Sequence, residues 1–527
     1  MSTENHAETH RGEPLPPAVP LAASEGRSIQ WCLLSHTNIG KTTLTRTLAA
    51  DDVGEIEDAA HITSRSERYL LQQTEQGDEL WLWDTPGFGD SVRLYERLRQ
   101  HGNPLGWFLS NVWDRWRDRP FYLSQRALLA ARDHADVMLY LVNAAEDPAD
   151  AGYWSAEMQI LRWMDKPVIV LLNQIGSDTS QAQTEADLQR WRKATQGFAD
   201  TVREVLVLDA FTRSWWHERH MMQAIAPLLP AAKQPAYRRL LQARELQQRQ
   251  CEQQSLQALA RQLVATAKLQ ESLDPAQGKL LARAWQSVSG KVAATLGAKG
   301  AVQDADLPSD PRAQAAIRQL LQSVQQADVQ STQRLLELHR LDGLAASQIQ
   351  EQLRSQLQVS APVDPKAASL WGALTAGAAT GLGADLVAGG LTLGTGALLG
   401  ALVGAVTFAG AAWGSNKMLD RDAQRFQLSG DYLTALAGQV LLKYLVISHF
   451  GRGRGRYSSP SAPQRWNEAV QAAVAAHAPQ WSQCWQALRA PQQGGEEGEG
   501  RVARLLQDCL GQVMAQLYPD LQIEEKG

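Results

Sequence analysis

The stretch SHTNIGKTT, Ser35 to Thr43, follows an apolar run and precedes a helix-like one. A strand, a glycine-bearing loop and a helix in that order can turn backbone N–H groups inward to cradle phosphate oxygens. Thr37, Asn38, Ile39, Gly40, Lys41, Thr42 and Thr43 would line such a cradle. The Lys41 ammonium would reach the outer phosphates and the Thr42 hydroxyl would ligate Mg2+. The pattern G-x-x-x-x-G-K-[ST] asks for glycine where this chain has Ser35. That change is easier to absorb than one at Gly40, whose backbone must pass close to the phosphates.

A second motif, WLWDTPGFGD, ends another apolar run with Asp84, Thr85, Pro86 and Gly87. A carboxylate at such a strand end can hold Mg2+ through water, and the Gly87 N–H can sense a terminal phosphate. Between the two motifs, Thr63 in AHITSRSER is placed to bring a third oxygen to the metal from a mobile loop. Candidate metal ligands are therefore Thr42, Thr63 and Asp84, with Lys41, Thr63 and Gly87 expected to act in catalysis.

These residues need rigid supports. Between 28 and 230 the chain alternates apolar runs with amphipathic stretches: IQWCLLS (29–35), ELWLWDT (79–85), DVMLYLVNA (136–144), PVIVLLN (167–173) and EVLVLDA (204–210). Their length and β-branched, aromatic content suit buried parallel strands, and KTTLTRTLAAD and SQRALLAARDHA read as helices between them. The expected fold is a doubly wound, mostly parallel α/β domain of the P-loop NTPase type, with ligand at the carboxyl ends of the strands.

Residues 231–360 change character, with Gln, Leu, Ala and Arg in a helical period, and predict a bundle or stalk. Within 361–417, the stretch 367–416 carries one charged residue, Asp385, and glycines at steps of four such as Gly377 and Gly381, or Gly396, Gly400 and Gly404. That composition predicts a Gly/Ala-rich helical hairpin, either packed within the protein or in contact with lipid. Residues 418–527 read as further helices, interrupted by the connector GRGRGR, Gly451 to Arg456, whose arginines could also grip phosphate. Residues 1–27 read as a disordered tail without the apolar core of a signal peptide.

The chain has 527 residues, too many for one core, with 51 basic and 56 acidic residues and a net charge of -5. No basic domain stands out, so nucleic acid is not an expected partner. Cys32, Cys251, Cys484 and Cys509 are widely separated, which disfavours zinc or a disulfide framework and suits a cytoplasmic setting, at the inner membrane if the hairpin meets lipid. His217 and His220 lie three apart without further ligands in view and read as a helix surface. The aromatic run 106–116 reads as a helix packing on the core, with a partner surface as the alternative.

The motifs resemble a bacterial GTPase of the Era/TrmE-like branch, joined to a C-terminal domain of unknown function. The loop Ser35–Thr42, the Gly/Ala-rich segment 367–416 and HFGRGRG, His449 to Gly455, carry that resemblance across nearly the whole chain. It implies GTP and GDP as ligands with Mg2+ as cofactor. It also implies that Asn38 helps bind K+, which would supply transition-state charge; the same Asn could simply shape the turn. Phe88 stands where a glutamine would orient the attacking water, so hydrolysis is expected to be slow without K+, dimerisation or a partner.

The base-recognition motif departs from N-K-x-D: the chain reads Asn173, Gln174, Ile175, Gly176, with Asp178 two residues on. Losing the carboxylate that pairs with guanine would cost about 10- to 1,000-fold in selectivity. Asn173, Gln174 and Ala210 remain the expected base-side residues, with guanine the expected base and relaxed choice the alternative. The expected function is a GTP-dependent switch with slow hydrolysis, partnered by guanine nucleotide and by a second copy or another protein. Two other readings stay open: a dynamin-like NTPase with the hairpin as a membrane paddle, and a non-hydrolysing nucleotide-sensing scaffold.

Overall fold

Strand β1, Ser28–Ser35, sends Ile29, Trp31 and Leu33 to one face and Cys32 and Leu34 to the other, and all five are buried. Burial on both faces is what makes the run continuously apolar. In this computed structural model the described residues are 26–50, 67–102, 104, 106, 119–175, 179–210, 212–273, 311–341, 406–409, 424–428, 430–451, 464–489 and 495–519.

The other strands of the first sheet are β2 (Glu67–Gln73), β3 (Glu79–Asp84), β4 (Val137–Asn143), β5 (Val168–Asn173) and β6 (Val202–Val207). Their order is β2-β3-β1-β4-β5-β6, parallel throughout except for β2, which runs antiparallel to β3. The apolar runs account for the five parallel strands. They do not account for β2, ERYLLQQ, an exposed edge strand whose polarity hides it from a search for buried runs.

Helices α1 (Lys41–Ala49), α6 (Trp215–Ile225) and the start of α7 (Gln234–Ala267) cover one face of the sheet. Helices α2 (Ser91–Leu98), α3 (Arg119–His134), α4 (Trp154–Arg162) and α5 (Gln181–Thr195) cover the other. The result is a doubly wound α/β domain.

Helix α7 belongs to two cores. Its first turns bury Ala236, Tyr237 and Leu240 against the sheet, while Leu256, Leu259, Leu263 and Ala267 enter the core of the C-terminal region. At 34 residues it would span roughly 50 Å at 1.5 Å per residue. Its first half is locked to the sheet by Arg239, which grips the buried Asp78 through two 2.7 Å bonds and holds that carboxyl below the usual range.

The C-terminal core unites α7 with α8 (Pro311–Leu338), α9 (Gly430–Ser448), α10 (Gln464–Ala476), α11 (Ala478–Arg489) and α12 (Gly495–Leu517). Segments on either side of 361–417 thus pack together as one helical unit. A three-stranded antiparallel sheet, β7 (Gln270–Leu273), β9 (Gln424–Leu428) and β8 (Val406–Ala409), accompanies it.

Strand β8 corrects the expectation of an all-helical hairpin over 367–416. Val, Thr and Phe are strand formers, and VTFA pairs with β9 as a strand. The rest of 367–416 lies outside the described residues, as do the arginines of GRGRGR, most of the aromatic run and the tail. Among the described residues no helix is long and apolar enough to cross a membrane.

Candidate nucleotide-binding site

Strand β1 ends at Ser35 and α1 begins at Lys41, so the loop between them opens at the carboxyl end of a central strand. Two residues turn it through left-handed conformations, Asn38 at φ 65° and Gly40 at φ 95°. Gly40 is doubly required: besides its φ, a Cβ there would lie 2.8 Å from Asn173 Nδ2.

Lys41 is buried, and its Nζ donates to Ser35 Oγ at 2.8 Å. Burial lowers its pKa to about 8, a shift partly offset by the negative charges of Asp84 and Glu157. The Thr42 hydroxyl donates to Asp84 Oδ2 at 2.8 Å. The other carboxylate oxygen, Oδ1, is buried without a hydrogen-bond partner. Burial raises the Asp84 pKa to about 6, against the opposing pull of Lys41 and the Thr42 bond.

The segment after Asp84 folds back onto the loop. Thr85 Oγ1 donates to the Leu33 carbonyl at 2.6 Å, and the Phe88 N–H donates to the Ser35 carbonyl at 2.9 Å. Gly87 is pressed so closely that a Cβ would lie 2.9 Å from Thr37 Cα and 3.1 Å from Lys41 Nζ. Phe88 is fully buried in the core, so its ring is not presented to solvent.

On the far side of the loop, Asn173 ends β5. Its Nδ2 donates to the Ile39 carbonyl at 2.8 Å, and its Oδ1 accepts from the Ala210 N–H at 2.8 Å. Thr47 of α1 donates to the Ala210 carbonyl at 2.8 Å, closing a ring of bonds around the buried Ala210. Gln174 lies beside the loop in a left-handed conformation at φ 59°, with Nε2 3.7 Å from where a Gly40 Cβ would stand. The structure therefore brings Thr37 to Thr43, Asp84, Gly87, Asn173, Gln174 and Ala210 to one end of the sheet. Thr63, Gly176 and Asp178 lie outside the described residues.

Three features escaped the sequence. Ser35 serves as an acceptor for Lys41, where glycine could not. His36, the next loop residue, bonds the fully buried Glu157 at 2.7 Å and stacks on Tyr153 at 4.2 Å; Tyr140 donates to the same carboxylate at 2.5 Å. Asp209, beside Ala210, accepts the Ile175 N–H at 3.1 Å. Glu157 is 121 positions from His36, and no local pattern could have joined them.

The loop that follows β6 also touches the helical region. Thr212 pairs with Phe450 in an antiparallel bridge, and the Arg213 N–H donates to the His449 carbonyl at 2.9 Å. The expectation that His217 lies on a helix surface is corrected here: its ring meets Tyr518 edge-on at 5.3 Å, beside a cavity shared by both regions. Among the described residues there is no group of His, Cys, Asp and Glu that could hold a metal by themselves.

Sheet order, loop and strand-end carboxylate define a P-loop domain of the GTPase class, and residues 31–174 match the model of a 50S ribosome-binding GTPase. Residues 198–508, more than half of the chain, match a domain of unknown function, DUF3482, and the chain belongs to that family. Among solved structures it is similar to Era from Aquifex aeolicus bound to GDP and AlF4-, at 17% identity over 39% of this chain and 57% of that one, with a TM-score of 0.29. Era in complex with MgGDPNP and a segment of 16S ribosomal RNA gives the same identity and coverage and a TM-score of 0.28. A bacterial selenocysteine-specific elongation factor gives 13% identity over 38% of this chain and 28% of that one, with a TM-score of 0.26. The chain spans 57% of the length of the Era chains. No curated protein matches the chain.

Proposed function

We propose that the protein is a GTP-binding switch that hydrolyses its nucleotide slowly. The observation that carries this reading is the pairing of Thr42 with Asp84 beside the buried Lys41, with Asp84 Oδ1 left unpartnered. An unsatisfied buried carboxylate oxygen next to a hydroxyl is costly unless a cation completes it, and these donors fit Mg2+. Thr42 and Asp84 would hold that ion, joined by Thr63, and the ion would neutralise charge developing on the outer phosphates.

The chain's own groups would do the rest. The N–H groups of residues 37 to 43 would cradle the phosphates at the start of α1. Lys41 would leave Ser35 for the β- and γ-phosphates, whose charge favours its protonated form. The Gly87 N–H would contact the γ-phosphate, reached because no side chain intervenes. With Phe88 turned into the core, no side chain at that position can orient water, which supports slow turnover. Asn38, exposed at the loop's apex, would bind K+ to supply transition-state charge.

Asn173, Gln174 and Ala210 would frame guanine, with selectivity reduced by the departure at Gly176. Loss of the γ-phosphate would release Gly87, and the Thr212–Phe450 bridge offers a direct route from the base-side loop to the helical region. Lipid contact through 367–416 and self-association are further parts of this reading. The chain's net charge of -5 gives no support for the RNA or ribosome binding named for the GTPase model and for Era.

The test is calorimetric affinity and single-turnover hydrolysis for GTP against ATP, in K+ against Na+, with Lys41→Ala as control. GTP binding that needs Lys41 supports the switch; no heat with any purine triphosphate overturns it.

A further inference from the structure

A cavity of about 370 Å³ lies at the opposite end of α1 from the phosphate loop. It touches Ala49 and Ala50, whereas the loop meets the helix at Lys41, roughly 12 Å away along the axis. Strand β2 of the sheet forms one wall, and α7 and the end of α8 form the others. Arg213, Arg244, Arg340, Gln72, Gln247 and Gln248 line it, and among the described residues no carboxylate does.

Among the described residues, the lining of this cavity is cationic. Arg213 and Arg244 share a single carboxylate, that of the buried Glu218: Arg213 meets it at 2.5 and 3.2 Å, Arg244 at 3.3 Å. Burial depresses the Arg244 pKa, and the neighbouring Arg213 and Arg340 push it the same way against Glu218. His339, at the rim, is driven to about 3 by burial and by Arg213, so it stays neutral and adds no charge of its own. Arg244 also donates to two nearby carbonyls, Leu48 O at the end of α1 and Leu71 O of β2, each at 3.4 Å.

Among the described residues, two largely desolvated guanidinium groups have one carboxylate between them, an arrangement that favours an anion beside them. Guanidinium forks match phosphate oxygens in geometry as well as charge, and glutamine amides add neutral donors. Arg213 and Arg244 keep N–H groups beyond those committed to Glu218, since each carries five.

We propose that this cavity is a second anion site, which takes a small phosphate-bearing molecule independently of the phosphate loop. Arg244 and Arg213 hold the phosphate, Arg340 closes over it from the end of α8, and Gln247 and Gln248 contact the remainder of the ligand. The site joins the sheet domain to both long helices, so occupancy stiffens the attachment of α7 and α8 to β2.

The experiment uses full-length protein and pyrophosphate as probe, with inorganic phosphate and GDP as further arms. In Lys41→Ala, whose fold is checked by circular dichroism, calorimetry is expected to find one remaining pyrophosphate site per chain. Adding Gln248→Glu, which puts a carboxylate into the cavity at a partly exposed position, is expected to weaken that site at least tenfold, and Arg340→Ala severalfold. If Lys41→Ala does not fold, the comparison is made in otherwise wild-type protein, where Gln248→Glu lowers the stoichiometry from two to one. Binding of inorganic phosphate and pyrophosphate but not GDP assigns the site to free phosphates, and binding of GDP as well assigns it to nucleotides. Absence of a saturable site in Lys41→Ala, or equal affinity with and without Gln248→Glu, overturns the proposal.

Discussion

Lys41 Nζ donates a 2.8 Å hydrogen bond to Ser35 Oγ, so the residue that replaces a glycine in the loop pattern engages the cation proposed to meet phosphate. That bond must break when phosphate arrives. A hydrogen bond to a charged group contributes about 1.5–3 kcal/mol, and water and phosphate recover only part of it. Ser35→Gly is therefore expected to tighten GTP binding about three- to tenfold, while Lys41→Ala weakens it by more than 100-fold, where each 1.4 kcal/mol is a factor of ten. Titration calorimetry at fixed Mg2+ measures both, and unchanged affinity in Ser35→Gly would remove the competition argument.

Gly87 is placed against the loop with no room for a methyl group, whose carbon would lie 2.9 Å from Thr37 Cα. Gly87→Ala should force the two segments apart and cost about 1–3 kcal/mol of stability, the usual range for overpacking. Its larger effect is on the switch: proteolytic protection that depends on GTP against GDP should vanish while GDP affinity falls less than tenfold. Retained nucleotide-dependent protection would count against a sensing role for this N–H.

Three histidines gather where the sheet domain meets the helices. Burial lowers His217 and His339 to about 3 and His449 to about 4, from an ordinary 6.5. The unfolded chain binds protons near 6.5, and the folded chain does not until pH 3 to 4. Stability therefore falls as pH drops from about 7 toward 4, with up to about 1.4 kcal/mol lost per pH unit per histidine. Urea denaturation at pH 7, 6 and 5 is expected to give a steadily lower midpoint, with a shallower pH slope in His449→Gln. A slope that His449→Gln leaves unaltered would mean that the His449 ring is not held neutral in the folded chain.

Lys443 lies within the helical core, 2.9 Å from Asp328 Oδ1 and within 3.1 Å of Gln262, Ser331 and Thr332. Removing one partner of a buried pair strands the other, at about 3–5 kcal/mol, whereas replacing both with apolar groups can be near neutral. Lys443→Ala should accordingly destabilise the C-terminal unit severely, and Lys443→Met with Asp328→Leu should restore much of the loss. Thermal unfolding of the three proteins decides it; a double variant no better than Lys443→Ala would assign the cost to packing and not to charge.

Much of the sheet domain was legible in the sequence. The central strands β1, β4 and β5 are apolar runs because they are covered on both faces, and runs such as VIVLLN carry that burial in their own composition. The order of strand, loop and helix at Ser35–Thr43, and an acidic residue ending β3, are likewise local facts. Strand β2 was not legible, because an exposed edge strand has the polar composition of a loop. Nor was strand β8, where four residues leave an otherwise Gly/Ala-rich segment to pair with β9.

By itself the sequence determined which segments are buried strands and where a phosphate loop can form, since hydrophobic periodicity and glycine placement act within a few residues. Tertiary structure alone decided what those segments meet. It set Asn173 between Ile39 and Ala210, Glu157 behind His36, and Arg213 and Arg244 around one carboxylate. It also made one helix a member of two cores. The physical reason is that such pairings depend on strand order, register and helix crossing, which bring distant residues within bonding distance and leave no trace in local composition.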